Sequence, residues 1–126
     1  MAIFETITAV ALAAASLAGP ASPENASYAL RLSQTDSSGG YARVTLTCNE
    51  PGGSHKDPAK ACEVLEGAGG KFSSIEEAET ACPLNFAPVD VTVTGRWNGE
   101  AVDYKKEFPN ACAASNATQG IFPLGK

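Results

Sequence analysis

Histidine occurs once in the 126 residues, at position 55, and no serine stands in a strained, glycine-flanked turn. A hydrolase built on a nucleophile and its base needs both partners, so the chain does not read as an enzyme. There is no CxxC pair, and His55 lies away from any two cysteines, which removes the usual spacing of a zinc site. Neither a metal nor a cofactor is expected. Basic charge is scarce too: nine Lys and Arg, scattered without a stripe, stand against fourteen Asp and Glu, for a net charge of −5. Nucleic acid is therefore not an expected partner. The apolar run from Ile7 to Ala18 is too short to span a bilayer, and no membrane partner is expected.

That same run ends in small residues at Ser16 and Ala18, the pattern of an export signal over residues 1–18, with cleavage expected near 18–21. Its start carries Glu5 where such leaders usually carry Lys or Arg. The following GPASPENAS, residues 19–27, is rich in Pro, Ser and small side chains and reads as a flexible mature N-terminus. Residues 28–126 remain for one small domain. A chain this short buries only about two-thirds of its unfolded surface, so its core usually needs covalent support. Cys48, Cys62, Cys82 and Cys112 can supply it, because an even number of cysteines in a short secreted chain implies disulfides. Spacing alone leaves all three pairings open.

Tyr28 to Ser33 alternates Tyr28, Leu30 and Leu32 against Ala29 and Arg31, the period of a strand with one buried face. After the polar SQTDSSGG, Tyr41 to Cys48 alternates again, with Val44, Leu46 and Cys48 on one side, and the two strands are expected to pair as a hairpin. Asp57-Pro58 joins an N-cap residue to proline at the first helical position, so a helix starts there and ends at Gly67 to Gly70, with Ala61, Cys62 and Leu65 on its inner face. Ser73 and Glu76 fit a capping box for another short helix, and the same glutamate-rich stretch fits a solvated loop equally well. From Val89 to Phe108 the pattern is a hairpin turning at Asn98-Gly99 in a type I′ turn. That turn sets Val93 opposite Tyr104, Gly95 opposite Val102 and Val89 opposite Phe108, leaving Lys106 as the one interruption of the apolar face. Asn110 to Asn116 fits a single helical turn around Cys112.

Between helix and hairpin lies Thr80-Ala81-Cys82-Pro83-Leu84-Asn85-Phe86-Ala87-Pro88. Each proline fixes its own φ and biases its predecessor toward extended geometry, so the stretch is expected to run as an extended loop, the conformation in which proteases bind substrates.

The chain resembles the Streptomyces-type subtilisin inhibitor family. The resemblance rests on VTLTC at 44–48, PGGSH at 51–55, ACEVLEGAGG at 61–70, CPLNFAPV at 82–89, TGRWNGEAVDY at 94–104, FPNAC at 108–112 and a terminal IF. It implies an α+β fold with a five-stranded antiparallel sheet, two short helices and the disulfides Cys48–Cys62 and Cys82–Cys112. It further implies a homodimer formed through the sheet and a secreted inhibitor of extracellular subtilisin-type serine proteases. Carried over residue by residue, the reactive bond falls at Leu84-Asn85, with Ala81, Cys82 and Pro83 before it and Phe86 and Ala87 after it in contact with the protease. Pro123 to Lys126 extend beyond the terminal IF, and Asn85 is polar at a position where an apolar residue would be unsurprising.

Physical reasoning agrees with that placement. Inhibition without turnover needs a loop already in its bound conformation, whose cleaved ends cannot separate. A bridge from Cys82, two residues before the bond, to Cys112 would do this, and each bridge would also stabilise the fold by roughly 3 to 4 kcal/mol from loop closure. Leu84 suits the apolar pockets of subtilisin- and chymotrypsin-type enzymes rather than trypsin's aspartate-lined one. On pattern alone Leu84 and Phe86 also fit the core of an irregular strand, Trp97 and Tyr104 fit core or dimer packing, and His55 fits a loop position without chemistry. The triplets Asn25-Ala26-Ser27 and Asn116-Ala117-Thr118 match glycosylation sequons that arise by chance. An alternative function is a secreted binding module that keeps this scaffold but acts on a non-protease extracellular partner.

Overall fold

The computed structural model describes residues 27–124, so the expected leader, nearly all of the segment after it and the last two residues lie outside the description. Five antiparallel strands form one sheet: β1 (Tyr28–Asp36), β2 (Tyr41–Thr47), β3 (Gly52–Gly53), β4 (Val89–Trp97) and β5 (Glu100–Phe108), in the order β3-β2-β1-β4-β5. Two helices complete it, α1 (Pro58–Gly67) and α2 (Ala111–Thr118). The first hairpin is longer than its alternation suggests, since β1 continues through Gln34 and Thr35 to Asp36. Asp36 then closes the turn by accepting from Ser38 N, Ser38 Oγ and Gly40 N at 2.9, 2.7 and 2.8 Å.

Alternation decides which side of the sheet is covered. Leu30, Leu32, Leu46, Val91 and Val93 point inward and are buried beneath α1, Phe72 and the C-terminal Ile121 and Phe122. The outer face carries Arg31, Ser33, Arg43, Thr45, Asp90, Thr92, Thr94, Arg96, Asp103, Lys105 and Glu107.

The β4–β5 register is the one that the Asn98-Gly99 turn dictates, with Val93 opposite Tyr104, Val89 opposite Phe108 and Lys106 opposite Val91. Asn98 and Gly99 both have positive φ, 54° and 82°, as a type I′ turn requires. Lys106, on the edge strand, reaches solvent with its Nζ 5.4 Å from the Phe108 ring centroid. Gly95 and Gly70 are among the positions that require glycine. A Cβ at Gly95 would strike the carbonyl of Ala29 on the neighbouring strand, and a Cβ at Gly70 would strike the indole of Trp97, which lies across it. Trp97 also meets Tyr28 edge to face at 4.9 Å.

Helix α1 begins as Asp57-Pro58 predicts: the Asp57 carboxylate accepts from Lys60 N at 3.3 Å, a cap of about 1 kcal/mol. Cys62, on its buried face, is bonded to Cys48 at the end of β2. Ser73 and Glu76 cap no α-helix; Phe72–Ser74 forms one 3-10 turn, after which residues 75–88 run without regular structure. The segment around Cys112 is more than one turn, an eight-residue helix.

His55 occupies a loop position as its sequence context suggests, but its burial is not legible there. It sits in the loop before α1 but is buried, with Nε2 3.0 Å from the Ile121 carbonyl oxygen and Nδ1 accepting from Asp57 N at 3.0 Å. The imidazole thus ties the C-terminal segment to the start of α1. No periodicity announces a contact across 66 residues.

Candidate functional site

The stretch from Thr80 to Pro88 lies between the 3-10 turn and β4 and runs beside α2. Leu84 is 99% exposed and Phe86 76%, so neither is a core residue of an irregular strand. Large apolar side chains held in water are costly unless something covers them, about 1.5 to 3 kcal/mol each on full burial. Ala81, Pro83 and Asn85 are exposed too, while Cys82 and Ala87 are half-buried.

Local chemistry fastens this loop to the body of the fold. Pro83 and Pro88 restrain the backbone at either end. Cys82 is bonded to Cys112 in the first turn of α2, with 5.7 Å between their Cα atoms. Ala87 N donates to the Pro109 carbonyl at 2.8 Å, which ties the end of the loop to the chain just after β5. Asn110 does the rest. It is the N-cap of α2, its Oδ1 accepting from Ala113 N at 2.8 Å, and its Nδ2 donates to the carbonyls of Pro83 at 3.2 Å and Asn85 at 2.8 Å. Those two carbonyls belong to the peptides on either side of the Leu84-Asn85 peptide. One buried amide therefore fixes both neighbours of that bond and leaves the Leu84 side chain projecting outward.

Asn110 carries no sequence signal of this role beyond its fitness as a helix cap. The reach from its amide to Asn85 spans 25 residues and depends on how α2 docks beside the loop. The Asn116-Ala117-Thr118 triplet turns out to be structural. Thr118 is buried, its hydroxyl donating to Ala114 O at 2.8 Å and accepting from Phe122 N at 3.0 Å. The Asn116 amide is engaged with the loop as well, donating to Thr80 O at 2.7 Å.

Among the described residues no group of three or more His, Cys, Asp or Glu is placed to hold a metal ion. The roughly 410 Å³ cleft beside His55, Lys60 and Ile121 contains no residue of the loop. What the loop offers is an exposed, fastened stretch of backbone with two apolar side chains, the complement of a cleft rather than a cleft itself.

Comparison with known proteins agrees with that shape. The Subtilisin inhibitor-like family model matches residues 26–110. Protease inhibitor SIL-V2 of Streptomyces orinoci is 42% identical over 98 residues, covering 74% of this chain and 90% of the relative. Plasminostreptin of Streptomyces antifibrinolyticus is 38% identical over 81 residues, covering 63% and 74% respectively. Among the first curated relatives it matches, the chain spans from 55% to 90% of their length. Among solved structures, Streptomyces caespitosus sermetstatin, crystallised in complex with Bacillus licheniformis subtilisin, superposes with a TM-score of 0.58 at 29% identity, covering 75% of this chain and 94% of that one. With four paired cysteines, a five-stranded antiparallel sheet and two helices, the chain belongs to the subtilisin inhibitor-like family.

Proposed function

We propose that this chain is a secreted, substrate-like inhibitor of extracellular subtilisin-type serine proteases, with Leu84-Asn85 as the reactive bond. The observation that carries the reading is the double hold of Asn110 on the carbonyls of Pro83 and Asn85, on either side of the exposed Leu84. By family the chain is an inhibitor and not an enzyme, so the chemistry is the target's. The protease's serine attacks the Leu84 carbonyl carbon, and the amine of Asn85 is the leaving group. Cys82 and Asn110 retain the acyl side, and Asn110 and the Ala87–Pro109 bond retain the amine side. The amine stays poised to re-form the peptide while water competes poorly. Because the loop is already ordered, little conformational entropy is lost on binding.

Leu84 enters the primary specificity pocket, and Ala81, Cys82, Pro83, Phe86 and Ala87 supply the flanking contacts. The uncharged, γ-branched Leu84 also fits chymotrypsin-type pockets, as a weaker target class. Secretion is supported by the apolar run at Ile7 to Ala18 and by the two disulfides. The homodimer through the outer face of the sheet belongs to the same reading.

The decisive experiment is titration of the oxidised protein against subtilisin, chymotrypsin and trypsin. Stoichiometric inhibition of the first, weaker inhibition of the second and little of the third are expected. Absence of subtilisin inhibition overturns the reading.

A further inference from the structure

Asn110 and Cys112 fasten the loop near its reactive bond, but a further contact lies upstream. Cys112 and Asn116 are four residues apart on α2 and so share one face of the helix, about 6 Å apart along its axis. Thr80 and Cys82 are two residues apart in an extended chain, about 6.6 Å. The two repeats match, and each helix residue meets its counterpart: Cys112 is bonded to Cys82, while Asn116 Nδ2 donates to Thr80 O at 2.7 Å and lies 3.3 Å from Cys82 Sγ. The backbone carbonyl of Asn116 also accepts from Ala78 N at 2.9 Å, and one turn on Gln119 Nε2 donates to Glu76 O at 2.7 Å. The arm from Glu76 to Cys82 thus runs antiparallel to α2, with a fastening at each turn.

We propose that Asn116 is a positioning residue for inhibition. It fixes the arm that leads into the reactive bond, so that Ala81 and Cys82 present their backbone in the register the protease requires and the acyl half stays in place after cleavage. Asn116 touches neither the reactive bond nor the target; it acts through Thr80 and Cys82. Its side chain is half-buried on the loop-facing side of α2, away from the sheet, so its loss is local. This inference rests on the proposed inhibitory function for its consequence, but not for its geometry.

The test compares wild type with Asn116→Ala and with Asn116→Asp, which keeps the volume and removes the donor. The expected result is initial inhibition of subtilisin within about threefold of wild type, with recovery of protease activity and Leu84-Asn85 hydrolysis in the complex about fivefold faster, the worth of one net hydrogen bond. A merely structural role would lower the melting temperature and leave that recovery rate unchanged. Hydrogen exchange provides a readout without protease: amides of residues 78–86 exchange faster in both variants, while those of β1 and β4 do not. Unchanged exchange across 78–86, or recovery at the wild-type rate by either variant, overturns the inference. Failure of the wild-type chain to inhibit subtilisin strikes the functional reading alone, and the exchange measurement then still decides the positioning role.

Discussion

The side-chain amide of Asn110 lies 2.8 Å from the carbonyl oxygen of Asn85, and the other oxygen it holds lies on the far side of Leu84. Two hydrogen bonds from one buried donor are each worth about 1 kcal/mol net, so their joint loss should loosen the loop by roughly one to two powers of ten. Asn110→Ala would also lose the helix cap, whereas Asn110→Ser keeps a capping oxygen and cannot reach the loop. Asn110→Ser is therefore expected to fold with the cap of α2 kept, to melt lower by no more than the two lost bonds allow, and to be hydrolysed at Leu84-Asn85 about ten to a hundred times faster in the complex. Mass spectrometry of the cleaved chain over time measures this, and cleavage as slow as in wild type would assign the rigidity to the disulfide.

Leu84 is almost wholly exposed, so replacing it changes what the target meets without touching the core. Leu84→Lys should transfer inhibition to trypsin, whose pocket carries a carboxylate, and weaken it toward subtilisin. Inhibition constants against the two enzymes check the transfer, and an unchanged profile would mean that another residue enters the primary pocket.

Phe86 stands two residues after Leu84, and in an extended chain such residues project to the same side. With 76% of its surface open to solvent, it has apolar area to bury on the leaving-group side of the bond. Phe86→Ala should weaken subtilisin inhibition by about 1 to 3 kcal/mol, roughly five- to 150-fold. Tyr41, 63% exposed at the start of β2, is the control: Tyr41→Ala should leave the inhibition constant within a factor of two or three.

The division between what sequence reveals and what it hides follows contact range. The β4–β5 register was legible because Asn98-Gly99 forces a two-residue turn, and every later pair follows by counting. Helix α1 was legible because Asp57-Pro58 is a cap whose partner is three residues away. Ser73 and Glu76 show the limit of such local signals, since here the chain leaves its 3-10 turn to run beside α2 instead. That 80–88 is a loop and not a helix could be read from Pro83 and Pro88, but its fastening by Asn110 and Asn116 could not, because those bonds join residues 25 to 36 positions apart. The loop position of His55 was legible, but its burial against Ile121 was not, for the same reason.

A homodimer through the outer face of the sheet would place Arg31 near its middle, because Arg31 lies on the central strand between Thr45 and Thr94. Arg43, Arg96 and Lys105 share that face with Asp90, Asp103 and Glu107, so such an interface would be polar and its charges would need partners across it. The dimer is expected to respond to ionic strength, and Arg31→Glu to shift it toward monomer in sedimentation velocity. A dimer indifferent to both would use another surface.

Asp36 gives the fold a dependence on pH. Its carboxyl is held below the usual carboxylate range, first by the Ser38 hydroxyl and then by the Gly40 amide, both donating to the ionised form. Because the folded state favours ionisation, the unfolded chain binds the proton more readily. The turn's contribution is therefore complete above the unfolded value near pH 4 and is lost as pH falls through the lower folded value. Asp36→Asn keeps an acceptor but no charge. The melting temperature of wild type should exceed that of Asp36→Asn at pH 7, and the gap should close as pH is lowered from about 5 to 2. A gap that stays constant over that range would show that the turn is held by shape and not by the carboxylate's charge.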